Sequence, residues 1–182
     1  MKNYKHLAFD KEKSGKAYYL PGNLQIYNPF LENFYHGNRY FIKIKKKMNT
    51  LHEIYIRTDY TIHTDSSTDY ILNIGIHNFK WNQFLLENNF SFYFFITAWN
   101  PFSESRPEVE NNNANLLLKS RLLDLSLKLY DGVGKSWDSN WYENSFCAIG
   151  GDINLAHQLG REFNQNAIVY GSGTKNPTLL FL

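Results

Sequence analysis

The sequence predicts an α+β fold, a single domain with a mixed β-sheet whose central strand covers about 90–98, and three observations carry that expectation. The run "FSFYFFITAW" is apolar at almost every position, as in a strand covered on both faces. Ahead of it, two stretches alternate with period two. After it, leucines and aromatics recur three and four residues apart, the helical period.

The elements follow in order. "LHEIYIRTDYTIHT" sets Ile54, Ile56, Tyr60 and Ile62 against Tyr55, Arg57, Asp59 and His63, which predicts a half-buried strand from about Leu51. "DSST" turns the chain, and "DYILNIGI" repeats the alternation as the second arm of a hairpin. "NFKWNQFLLENN" predicts a helix over about 79–88. After the central strand, a helix over about 105–130 is predicted, with Ser105 at its N-cap, Pro107 in its first turn and Glu108 and Glu110 near its positive dipole end. Leu118, Leu122, Leu125 and Leu129 form its stripe, and Leu116, Leu123 and Leu127 line the opposite side. "DGVGKSW" imitates the end of a phosphate-binding loop but lacks the Gly five residues before Gly134, so it reads as a glycine turn ending that helix. "SFCAIG" predicts a strand, 152–163 a third helix through Leu155, Leu159 and Phe163, and "NAIVY" with "TLLFL" a closing hairpin.

Charge divides the chain in two. Residues 1–50 hold ten Lys and Arg against Asp10, Glu12 and Glu32, about +7, and 51–182 hold nine against fourteen Asp and Glu, about −5. This predicts a basic, aromatic-rich arm over 1–50 and an α+β domain over 51–182. Lysine interleaved with rings such as Tyr18, Tyr19, Tyr27 and Phe30 is how single-stranded nucleic acid is gripped. The arm therefore either binds nucleic acid or an acidic protein, or packs on its own acidic body. The most apolar window is too short for a membrane span, and the N-terminus has no apolar signal core. With the single Cys147, read as core, these features predict a cytoplasmic protein with no membrane partner and no disulfide.

The chemistry-bearing residues gather in two places. Where the central strand meets the long helix, "WNPFSESR" supplies Asn100, Ser103, Ser105 and Arg106, and helical spacing carries the leucine stripe back to Asn115 and Asn111. Amides on a buried stripe need partners, either the protein's own backbone or a ligand. Glu143 follows Trp137 and Trp141 and precedes the apolar strand at Phe146, surroundings that raise a carboxyl pKa toward the range of acid–base work. Otherwise it is a loop carboxylate or a structural hydrogen-bonder. No HExxH, paired metal-ligand spacing or GxSxG occurs, so no metal, cofactor or serine-nucleophile chemistry is expected.

Four ordered features, "ITAWNP", the spaced Asn111 and Asn115, "WYENSF" and "LGREFNQNAIV", resemble a bacterial family filed as domain of unknown function 3293, over about 52–170. The resemblance implies that Asn100, Asn111, Asn115, Glu143, Gln165 and Asn166 belong to one recurring constellation. It implies no activity.

The leading functional expectation is a pocket lined by Asn100, Asn111, Asn115, Glu143 and Gln165 that holds a small polar, nucleotide-like ligand. Amides would read base or ribose edges, Glu143 would accept from a hydroxyl or amine, and Arg106 would suit phosphate. Two alternatives stand beside it: a metal-independent hydrolase or transferase with Glu143 as general base, and a nucleic-acid or protein-binding adaptor acting through the arm.

Overall fold

The computed structural model describes residues 50–65, 68–138, 141–173 and 175–182. The expectations for the basic arm fall on 1–49, outside the described residues. The remainder is an α+β domain around a seven-stranded sheet, β1 (Thr58–His63), β2 (Asp69–Leu72), β3 (Phe92–Ile96), β4 (Lys128–Ser136), β5 (Tyr142–Ile149), β6 (Ala167–Ser172) and β7 (Thr178–Phe181), in the order β2-β1-β4-β5-β3-β6-β7. Helices α1 (Phe79–Glu87), α2 (Glu108–Asp124) and α3 (Ile153–Glu162) join a helical segment over 50–56. No helix among the described residues is long and apolar enough to cross a membrane.

Strand β3 is interior, between β5 and β6, and its sequence explains why. Tyr93 and Phe95 point to one face, into a core with Trp81 and Leu85 of α1. Phe94 and Ile96 point to the other, into a core with Leu118 and Leu122 of α2 and Ala156 and Leu159 of α3. An all-apolar strand is stable here because helices cover both faces. The sheet is not mixed, however. Every described pairing is antiparallel, since β1–β2, β4–β5 and β6–β7 are hairpins and β3 runs against both its neighbours.

Two boundaries differ from expectation. Over 51–56 the chain is helical, and Leu51, Ile54, Tyr55 and Thr58 fall at helical spacing, so a short apolar window satisfied both periods at once. The long helix stops at Asp124, six residues early. Ser126 takes a left-handed conformation (φ 57°), Leu127 N–H returns to the Leu122 carbonyl, and Leu129 belongs to β4 instead. Helix α2 accordingly has one buried face, with Leu116 and Leu123 exposed. Its N-cap is Pro107, which makes no capping hydrogen bond, and not Ser105.

"DGVG" is strand, not turn. Gly132 lies in β4 opposite Ile62, where a Cβ would stand 2.6 Å from the Thr61 carbonyl oxygen and 2.8 Å from the Phe95 ring. The glycine is there for close approach. Gly132→Ala should lower stability by about 2–3 kcal/mol through overpacking, read as a shifted urea midpoint at constant slope. An unchanged midpoint would mean β1 and Phe95 yield freely.

Candidate functional site

The segment 97–106, between β3 and α2, is a loop held from beneath by amides. Asn115 on α2 takes the Ala98 N–H at 2.8 Å and donates to the Asn144 carbonyl at 2.7 Å, tying loop, helix and β5 together. Thr97 Oγ1 donates to the same carbonyl at 2.7 Å and accepts the Trp99 N–H at 2.9 Å. One turn earlier on α2, Asn111 takes the Asn100 N–H at 2.8 Å and donates to Asn100 Oδ1 at 3.0 Å and the Arg106 carbonyl at 3.2 Å. Asn111 and Asn115 continue the Leu118 and Leu122 stripe as buried residues, as helical spacing predicted. Both sides of each amide are bonded within the protein, and neither lines the cavity described below.

These bonds fix an unusual backbone. Asn100, Phe102 and Ser103 all have positive φ (47°, 55° and 60°), the left-handed region that asparagine tolerates better than most residues. Asn100 Oδ1 also accepts the Arg106 N–H at 3.0 Å, which turns its Nδ2 to Glu143 Oε1 at 3.0 Å. Gln165 Nε2 donates to the Trp99 and Phe163 carbonyls, and Asn166 Nδ2 to Ser103 Oγ at 2.8 Å. Five side chains from outside the loop, Asn111, Asn115, Glu143, Gln165 and Asn166, thus converge on it.

Beside it opens a cavity of about 600 Å³. Asn100, Ser103, Ser105, Glu143 and Gln165 line it, over apolar side chains that include Phe95, Ile168, Val169 and Leu179. The helical segment over 50–56 supplies Leu51, Ile54 and Tyr55, and Arg57 and Asp138 meet in a 2.8 Å ion pair among the lining residues. Glu143 stands on β5 directly across from Gly134 on β4. Because paired residues project to the same face of the sheet, the absence of a side chain at Gly134 leaves the carboxyl open to the cavity.

Burial pushes the Glu143 pKa up to about 7, with the Asn100 hydrogen bond opposing the shift. Its own surroundings favour the neutral form, yet it can ionise near physiological pH. The Tyr55 hydroxyl, beside Ser103 and Asn166, is raised by burial, and the nearby Glu143 charge adds to that rise. Arg106 pairs with Glu104 at 3.3 Å and is not among the cavity's lining residues. Among the described residues, no three His, Cys, Asp or Glu side chains group as metal ligands would.

Sequence reasoning missed Tyr55, Arg57 and Thr97. Thr97 stood inside "ITAWNP", where a hydroxyl just past an apolar strand was a usable signal. Tyr55 and Arg57 were assigned to the outer face of a strand that begins only at Thr58, so nothing placed them beside Glu143.

The loop, its bracing amides and Glu143 all lie in the region that aligns with a known family: residues 96–168 match the one described as Protein of unknown function (DUF3293). The likeness to that family covers this segment of the chain. The match takes in "ITAWNP", both spaced amides, "WYENSF" and "LGREFNQNAI", and it begins at Ile96 rather than near residue 52. The DUF3293 segment holds Asn100, Asn111, Asn115, Glu143, Gln165 and Asn166, while Tyr55, Arg57 and Tyr60 lie before it. No curated protein and no solved structure matches the sequence.

Proposed function

We propose that this protein binds a small polar, nucleotide-like molecule in the cavity beside the 97–106 loop, with Glu143 as its principal polar contact. One observation carries the reading: a carboxyl with a pKa near 7 lies over an apolar floor, opposite a bare glycine, in a cavity of about 600 Å³, a size typical of small-molecule sites. Keeping such a group half-buried costs stability, and a ligand that hydrogen-bonds it recovers that cost.

Asn111 and Asn115 contribute indirectly by holding the loop, and Asn100 by orienting Glu143. The Glu143 pKa also favours a second reading, a metal-independent hydrolase or transferase in which Glu143 takes a proton from a hydroxyl or water.

Gly134→Val tests the binding reading. A Cβ there meets Thr58 and Tyr60 at 3.7–3.9 Å, ordinary contact distances, so the variant should fold while covering Glu143. The dialysable small-molecule fraction of a cell extract should raise the melting temperature of the wild type and leave Gly134→Val unmoved. An equal shift in both would place binding elsewhere. For the enzyme reading, Glu143→Gln should abolish any turnover found by about two orders of magnitude or more while binding persists.

A further inference from the structure

The direction of the hydrogen bonds around the loop decides what the cavity can recognise. A backbone N–H only donates and a backbone carbonyl only accepts, so an amide bonded to either cannot exchange its oxygen and nitrogen. Asn100 Oδ1 accepts the Arg106 N–H, which leaves its Nδ2 facing Glu143. Gln165 Nε2 is directed to two backbone carbonyls, at 3.3 Å and 3.2 Å. The amide donors are thereby engaged within the protein. Among the described residues nothing donates to Glu143 Oε2 or to Gln165 Oε1, and both residues line the cavity. On the cavity side of the loop the amide and carboxyl groups left over are acceptors, beside the hydroxyls of Ser103 and Ser105, which can donate or accept.

Charge agrees with this polarity. Glu53, Asp138 and Glu143 line the cavity, and Arg57, the one described Lys or Arg among the lining residues, is held by Asp138 at 2.8 Å. Arg106, which would have served a phosphate, is paired with Glu104 outside the lining. An anion would meet carboxylates and, among the described lining residues, no free cation.

Resting on the binding reading above, we propose that the cavity selects a flat apolar body carrying a planar pair of N–H donors, the chemistry shared by amidines, guanidines and amino-substituted heterocycles. The floor of Phe95, Ile168, Val169 and Leu179 takes the ring, and Glu143 accepts the donor edge in the paired geometry that suits a carboxylate. Of a nucleotide-like ligand it is the base edge, not the phosphate, that the cavity holds.

The test is a calorimetric titration of the full-length protein with benzamidine, benzamide and benzoate, which share a ring while the head group runs from a cationic donor through a neutral group that does both to an anionic acceptor. Benzamidine should bind at least ten-fold more tightly than benzoate, with benzamide between. Glu143→Gln should weaken benzamidine ten-fold or more with its circular dichroism unchanged, and Gly134→Val should remove the binding. Benzoate binding as well as or better than benzamidine would overturn the donor rule while leaving a ligand cavity in place. Benzamidine binding that survives Gly134→Val would overturn its placement. If none of the three binds and the extract shifts both proteins equally, the binding reading fails and this inference fails with it.

Discussion

Asn111→Leu is expected to destabilise the protein by about 2–4 kcal/mol, although it places a leucine on a leucine stripe. The substitution leaves the Asn100 N–H and the Arg106 carbonyl without the partners that the amide supplies at 2.8 Å and 3.2 Å. Each lost partner in a part-buried setting costs about 1–2 kcal/mol, and the left-handed backbone at Asn100 keeps only its bonds to Ser103, Arg106 and Glu143. Asn113→Leu, on the exposed side of the same helix, should change stability by no more than about 0.5 kcal/mol. Urea unfolding of both variants decides the matter. If Asn111→Leu proves neutral or stabilising, the loop does not depend on this amide, and Asn111 regains a direct role toward a ligand.

The second large effect is a dependence of stability on pH that originates at Glu143. Its folded-state pKa of about 7 lies above the ordinary 4.5, so protonation favours the folded state. The contribution is fully present below pH 4.5 and is lost as pH rises through 7. With allowance for the exposed part of the carboxyl, about 1–2 kcal/mol should disappear between about pH 5 and pH 8. Tyr55 and Tyr60 sense the Glu143 charge, but burial keeps both hydroxyls neutral across this window. Glu143→Gln retains an acceptor for Asn100 Nδ2 and should flatten the profile, making the variant the more stable protein at about pH 8. Parallel profiles for wild type and variant would show that Glu143 ionises freely in the folded state, and the candidate site would lose its central group. A ligand that donates to the ionised carboxylate should also bind more tightly as pH rises through 7.

Much of this architecture was legible one element at a time. The all-apolar run at β3 announced a strand covered on both faces, because no other arrangement leaves Tyr93, Phe94, Phe95 and Ile96 all out of water. Helical spacing back from Leu118 placed Asn111 and Asn115 on a buried face, and buried they are. Tryptophans and an apolar strand around Glu143 predicted a raised carboxyl pKa, and desolvation supplies it. Composition and periodicity determine these features because each depends on what a residue and its near neighbours do to water.

Other features belong to the tertiary structure alone. Periodicity cannot end a leucine-rich helix that lacks a breaker, and α2 stops at Asp124 because β4 is claimed by ladders to β1 and β5. Nor can it say that Gly132 makes room for Phe95, or that Gly134 uncovers Glu143, since both depend on strands distant in sequence. The amides show the division most plainly. Their burial was written in the spacing, but whether they face a ligand or the backbone was settled by the loop folding over them, which turned Asn111 and Asn115 inward and left Glu143 to face the cavity. A hydrogen bond needs a direction as well as a partner, and direction exists only once the protein has folded.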